Sequence, residues 1–523
     1  MQRRRNKKKL IVFSLVMISI IGLLTYWLVR NDDNNIASPT TSKEDTKEIP
    51  PVDQPPEISE IMISSIESEG SSVSGDVSLS VEVKDDNEIT KVEFYSSDGD
   101  YLIGEVKEEP YTINWATDPW VPDGEQVLKV VVYDSSNQTT EVSQKVLVNN
   151  LQNKAQHDFK LVGYYAGWAT YSGYNVKDID ASKLTHLNYA FANISADGKL
   201  EVGDLWADVD NPFSGDSDSQ VVKGNFYQLQ KLKEEHPHLK TLISVGGWTW
   251  SDKFSDVALT EESRAIFAES VRQFLLNYGF DGVDLDWEYP VSGGAPGNKN
   301  RPEDKQNYTL LLKKIRETLD AQSKKDGKEY LLTIAAGASK NHAANMELGI
   351  LHQYVDYVQL MTYDIHGEWD TLSGFNAPLH EDPTSGFESE WSVQDGVETF
   401  IKSGVPGDKL VMGLPFYGRA FKQVDNENNG LYQSFSGGGS SLTYAKIDAD
   451  YIEKNGFTRS WDETTKVPFL FDGTTFISYD DVESIGYKTA FIQEMGLGGA
   501  MMWELSQDPD EVLLTKIYQE LKK

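Results

Sequence analysis

The rhythm of hydrophobic and polar positions changes three times along the chain. Residues 10–29 carry no charge and are apolar apart from small interruptions such as Ser14, Ser19 and Thr25. As a helix, a run of that length spans about 30 Å, the thickness of a bilayer's hydrocarbon layer. It has no polar face, which sets it apart from an amphipathic core helix. Residues 31–56 are polar and rich in Asp, Glu, Ser, Thr and Pro, and read as a disordered linker that cannot bury a core. Over residues 57–150 the period becomes two: Val77, Leu79, Val81 and Val83 alternate with Ser78, Ser80 and Glu82, and Val92, Phe94 and Val130 to Val132 follow in the same manner. Turn formers at 97–100 and 122–124 separate the runs. About seven short strands in so few residues predict a β-sandwich.

From residue 158 to the C-terminus, short apolar runs alternate with helical ones. Strands are predicted at 161–166, 185–191, 241–246, 282–287, 331–336, 358–362, 410–414 and 499–503. Their continuous apolar character is that of parallel strands buried on both faces. Between them, Phe267, Val271, Phe274 and Leu275 mark one helix face behind a Thr260 N-cap, and Tyr308, Leu311, Leu312, Ile315 and Leu319 mark another. Strands alternating with helices in this way predict an α/β fold, a (β/α)8 TIM barrel. Residues 420–489 are too many for one helix and its loops, and their Gly- and Ser-rich turns predict a small α+β insertion between strands 7 and 8.

The chain carries 48 basic against 82 acidic residues, a net charge of −34, which argues against a nucleic-acid partner, since phosphate backbones demand a basic surface. It has no cysteine, which excludes disulfides and thiolate metal sites. The eight histidines show no metal-ligand spacing, and no metal or cofactor is expected. Arg3, Arg4, Arg5, Lys7, Lys8 and Lys9 precede the apolar run, so the chain after Arg30 is expected outside the cytoplasm. Residues 1–30 are then a signal peptide or a membrane anchor. The length of the run and the lack of a clean small-x-small site, beyond a weak one at Ile36-Ala37-Ser38, favour the anchor.

Candidate chemistry concentrates in Phe280-Asp281-Gly282-Val283-Asp284-Leu285-Asp286-Trp287-Glu288. Side chains alternate across a strand, so Asp284, Asp286 and Glu288 share one face, and Val283, Leu285 and Trp287 the other. On a barrel strand these carboxylates climb the lumen, with Glu288 at the C-terminal mouth where barrel active sites lie. Stacked in a poorly solvated lumen they cannot all ionise, so at least one holds a proton near neutrality, as a glycosidase acid must. Spacing alone leaves an ordinary acid–nucleophile pair of Asp286 and Glu288 open. The 12 Trp and 25 Tyr are core filling or sugar platforms, according to position.

"DGVDLDWE" resembles the DxxDxDxE signature of the glycoside hydrolase family 18 chitinases. Ser244-Val245-Gly246-Gly247, "QLMTYD" (359–364), "GLPFYGR" (413–419) and "GGAMMWELSQD" (498–508) resemble that family's other strand motifs, in the same order. The insertion resembles that of bacterial secreted members. "ITKVEFYSSDG" and "VPDGEQVLKVVVYD" resemble bacterial immunoglobulin-like modules, here expected to be a spacer, with Trp115 or Trp120 as the alternative of a sugar-binding surface. The family resemblance implies a retaining, substrate-assisted hydrolysis of β-1,4-linked N-acetylglucosamine. In it Glu288 is the acid, Asp286 holds the acetamido N–H, Asp284 shares a proton with Asp286, and Tyr363 donates to the acetamido oxygen. It further implies Trp503 as the floor of the −1 subsite, with Tyr165, Phe191, Gly247, Met361, Asp364, Tyr417 and Arg419 around it. Trp248, Tyr289 and Trp369 would lie along the groove. The expected partners are chitin or its oligosaccharides, and a monomer is expected. An N-acetylglucosaminidase acting on peptidoglycan or N-glycan is the alternative within enzymes. A chitin-binding lectin is the alternative outside them, disfavoured by an intact Glu288.

Overall fold

The computed structural model describes residues 53–64, 72–73, 76–96, 101–117, 121, 124–148, 159–214, 216, 221–387 and 391–522. The apolar run 10–29, nearly all of the linker, the turn at 97–100 and Trp120 lie outside them. Among the described residues no helix is long and apolar enough to cross a membrane.

The N-terminal module is a β-sandwich. Its larger sheet orders Ser72–Val73, Thr139–Val148, Gly124–Asp134, Ile89–Ser96 and Tyr101–Val106, and its smaller one Met62–Ile63, Asp76–Ser80 and Thr112–Ala116. The period-two pattern explains the core. Val77, Leu79 and Trp115 from one sheet meet Val92, Phe94, Leu128, Val130 and Val132 from the other. Trp115 is therefore core filling and offers no sugar platform.

The larger module is a closed barrel of eight parallel strands, labelled β1 (Lys160–Ala166), β2 (His186–Ile194), β3 (Lys240–Gly246), β4 (Gly282–Asp286), β5 (Leu331–Gly337), β6 (Tyr357–Met361), β7 (Leu410–Pro415) and β8 (Gly499–Trp503). β1 pairs in parallel with both β2 and β8, which closes the ring. Helix Glu261–Tyr278 starts at Thr260, whose hydroxyl accepts the Ser263 N–H at 3.0 Å. Its Phe267, Val271, Phe274 and Leu275 face the strands, as do Tyr308, Leu311, Leu312, Ile315 and Leu319 of helix Asp304–Asp326.

β4 ends one residue earlier than predicted, at Asp286. Trp287 nevertheless keeps the outward parity of Val283 and Leu285. It stacks on Phe254 at 5.4 Å and meets Tyr308 edge-on at 5.1 Å in the layer between barrel and helices. After β7 the chain forms a five-stranded antiparallel sheet in the order Gly439–Thr443, Tyr417–Lys422, Thr475–Ser478, Val467–Phe471, Thr458–Asp462, with helix Tyr444–Asp450 inserted. Its first strand leaves β7 almost directly, so Tyr417 and Arg419 belong both to this sheet and to the rim of the barrel.

Candidate active site

At the C-terminal end of the barrel lies a cleft of about 810 Å³, with Asp286, Glu288 and Tyr363 on its wall. Beneath it Asp284 is fully buried and accepts four hydrogen bonds. Oδ2 receives the hydroxyls of Tyr164 and Ser244, each at 2.7 Å. Oδ1 receives Thr333 Oγ1 at 2.7 Å and Gln359 Nε2 at 2.8 Å. Gln359 is itself steadied by Asn188 Nδ2, at 3.0 Å from its Oε1. These contacts fill the positions around both of its oxygens, and the hydroxyls among them can accept as well as donate. Burial holds Asp284 above the usual carboxylate range, with its donors opposing.

Asp286 is held well above that range by burial first, then by the charges of Glu288 and Asp284. Its Oδ1 is buried with no hydrogen-bond partner. Glu288 is pushed up to about 7, chiefly by burial, with a hydrogen bond from Tyr289 opposing and the charge of Asp364 adding to the rise. The backbone of Glu288 is fixed on both sides. Its N–H donates to Ser251 Oγ at 2.9 Å, and its carbonyl accepts Asn298 Nδ2 at 2.9 Å. Ser251 in turn donates to the carbonyls of Gly247 (2.8 Å) and Asp286 (3.1 Å). Ser251 and Asn298 were not singled out from the sequence, because a serine and an asparagine in loops carry no pattern.

The cleft walls are aromatic. Trp503 meets Tyr164 edge-on at 5.4 Å and stacks with Phe191 at 5.8 Å. Trp248, Tyr289, Met361, Asp364, Trp369, Tyr417 and Arg419 all line the cleft, together with Trp168, Trp250 and Trp391, which the sequence reading missed. Asp364 has a left-handed backbone (φ 58°) and its N–H donates to Asn376 Oδ1 at 3.0 Å. Its Oδ1 accepts Tyr417 OH (2.5 Å), Arg419 Nε (3.0 Å) and Arg419 Nη2 (2.6 Å). Arg419 also reaches Glu368 at 3.2 Å and lies 4.8 Å from the centre of the Trp369 ring. This arginine is thus committed to holding the wall together.

Two expected residues do not lie on the wall. Tyr165 is 0 % exposed, donates its hydroxyl to the Tyr174 carbonyl at 3.0 Å, and packs against Tyr174 and Tyr189. Parity along β1 explains the correction: Tyr164 points into the lumen, so its neighbour must point out. Gly247 is buried, and a Cβ there would lie 2.6 Å from the Phe191 ring. Its part is to leave room for that ring. Among the described residues no three acidic or histidine side chains gather as a metal cluster.

The family model for glycosyl hydrolases family 18 matches residues 160–508, and that for a bacterial Ig domain matches 67–130. Chitinase A1 of Niallia circulans is 48% identical over 413 residues, covering 70% of this chain. This chain spans 59% of that relative's length. Among solved structures, a chitinase of Bacillus thuringiensis aligns with a TM-score of 0.67 and 44% identity, covering 70% of each chain. A family 18 N-acetylglucosaminidase of Paenibacillus barengoltzii aligns at 0.62 and 40% identity, covering 69% of this chain and 100% of its own.

Proposed function

The chain belongs to glycosyl hydrolases family 18, and from that premise we propose that it is a chitinase, hydrolysing β-1,4 links between N-acetylglucosamine units with retention. The observation that carries this reading is the orphaned Oδ1 of Asp286, a buried acceptor without a donor beside a carboxyl that titrates near neutrality. An unpaired buried acceptor is unfavourable until a ligand supplies the missing N–H. The acetamido group of a −1 sugar has such an N–H, two bonds from the carbonyl oxygen that can attack its own anomeric carbon.

In this mechanism Glu288 delivers its proton to the glycosidic oxygen as the bond to the anomeric carbon breaks. The acetamido oxygen closes onto that carbon and gives an oxazolinium ion. Asp286 accepts the acetamido N–H and stabilises the positive charge that develops there, while Asp284 lies beneath it and shares a proton with it. Tyr363, whose hydroxyl reaches Met501 sulfur at 4.0 Å, turns to the acetamido oxygen and fixes it for attack. Glu288, now a base, takes a proton from water as the water opens the ring. Trp503 forms the floor of the subsite, with Tyr164 beneath it and Phe191, Met361 and Tyr417 around it. The second oxygen of Asp364 takes a sugar hydroxyl, and Trp248, Tyr289 and Trp369 extend the groove. Every group comes from one chain, which suits a monomer. The basic flank before residue 10 supports an enzyme outside the cytoplasm, anchored by or released from residues 10–29, with the β-sandwich as a spacer.

The test compares wild type with Glu288→Gln on chitin oligomers, following cleavage and binding separately. A large loss of rate with binding retained is expected. Equal cleavage by the two proteins would defeat the assignment. Substrate assistance further requires that an oligomer lacking the −1 acetyl group resist cleavage, whereas an Asp286 nucleophile would tolerate that loss.

A further inference from the structure

Ser251 and Asn298 hold the main chain of Glu288, but its carboxyl lies several rotatable bonds further out. The direction of that carboxyl falls to side-chain partners. Tyr289 donates its hydroxyl to it. Among the described residues, the other ionisable groups facing Glu288 are Asp286 on its own strand and Tyr363 and Asp364 beyond β6. Tyr289 is half-buried at the rim of the cleft. A ring there meets one carboxyl reliably only if it is held in one plane.

His342 sets that plane. Its imidazole stacks on the Tyr289 ring, with centroids 4.1 Å apart and the planes 25° from parallel. It stands on the short helix Lys340–Ala344, just after β5. The imidazole is itself fixed from two directions. Gly337, the last residue of β5, lies against it, and a Cβ there would fall 2.2 Å from Nδ1. Ser339 Oγ accepts the His342 backbone N–H at 3.3 Å and lies 3.1 Å from Nδ1. With its oxygen engaged by that N–H, the serine hydroxyl turns its own proton to Nδ1, which assigns the ring hydrogen to Nε2. Burial moves His342 below its ordinary value, so the ring is uncharged at and above neutral pH. Its hold on the acid then works through the Tyr289 ring and not through charge.

We propose that His342 is a positioning residue for the proton donor: wedged against Gly337, it clamps the Tyr289 ring so that the hydroxyl meets Glu288 and holds its carboxyl in place. The inference rests on the assignment of Glu288 as the acid.

The test measures kcat and KM for a soluble chitin oligomer from pH 4 to 10. The proteins are the full-chain wild type, His342→Leu, His342→Phe, and His342→Leu combined with Tyr289→Phe. Leucine fills the space without a flat face, whereas phenylalanine keeps the face. In His342→Leu the alkaline limb of kcat/KM should move upward by as much as about one pH unit, the displacement that loss of the Tyr289 bond gives, and kcat should change more than KM. His342→Phe should keep the wild-type limb. On the Tyr289→Phe background the leucine should displace the limb no further, since both changes remove one interaction. His342→Asn is read in the same way if His342→Leu does not fold. A limb left in place by His342→Leu, a limb displaced as far by His342→Phe, or a further displacement on the Tyr289→Phe background would overturn the proposal. So would a rise in KM alone, which would make His342 a sugar contact. Cleavage by Glu288→Gln at the wild-type rate would instead strike the acid assignment itself, so the two failures are told apart.

Discussion

The sharpest consequence of the site concerns pH. Glu288 titrates at about 7, and only its protonated form can donate to the leaving oxygen. The protonated fraction is about one half at pH 7, a tenth at pH 8 and a hundredth at pH 9. If kcat/KM follows that fraction, it falls about tenfold per pH unit on the alkaline side. Two variants move this limb in opposite directions. Tyr289 holds the carboxyl down through its hydrogen bond, so Tyr289→Phe should carry the limb upward. A hydrogen bond to a carboxylate is worth about 1.5 kcal/mol, which is roughly one pH unit. The charge of Asp364 pushes the carboxyl up, so Asp364→Asn should carry the limb downward, whatever it does to the absolute rate. The assay is kcat/KM for a soluble chitin oligomer at constant ionic strength from pH 4 to 10. A profile that stays flat to pH 9, or a Tyr289→Phe limb displaced toward acid, would refute the reasoning.

Adjacent tyrosines on β1 offer a second test. Tyr164→Phe removes one of four donors to a buried charge and should cost about 1.5–3 kcal/mol of stability, with a clear fall in kcat. Tyr165→Phe loses one bond to a carbonyl, about 1 kcal/mol, and should leave kcat unchanged; thermal melts and turnover on the two proteins check this pair. Gly247→Ala, at a position with φ 69°, should drive the Phe191 ring from Trp503. The expected result is a raised KM for oligomers and a loss of about 1–3 kcal/mol in denaturant unfolding, and an unchanged KM would detach Phe191 from substrate binding.

The barrel was legible because its strands are short, largely apolar runs and its helices carry a polar face. The alternation from Val283 to Glu288 by itself puts three carboxylates on one face, and Trp287 keeps its predicted outward parity beyond the end of β4. The same rule corrects the expectation on β1. Tyr164 and Tyr165 are both apolar-compatible and both buried, so only the three-dimensional direction of the strand separates the ligand of Asp284 from its packing neighbour. The family resemblance put Arg419 at the −1 subsite, and it lines the cleft. Its engagement with Asp364 and Glu368 depends on a sheet assembled from strands far apart in sequence. The hold on Glu288 by Ser251 and Asn298 runs through main-chain atoms, which no side-chain pattern announces. In the sandwich, period-two alternation marked the core residues, yet it gave no means of telling that Asp134 continues the inward row of Val130 and Val132.

The four donors to Asp284 come from β1, β3, β5 and β6, at 120, 40, 49 and 75 residues' remove along the chain. A polypeptide emerging N-terminus first would therefore present this acid with only half of its partners while later strands were still unmade. The strand bearing Trp503, which closes the ring against β1, emerges last of all. Hydrolytic competence then arrives only once the strand bearing Trp503 has been made, and a form cut before residue 499 should carry no partial activity.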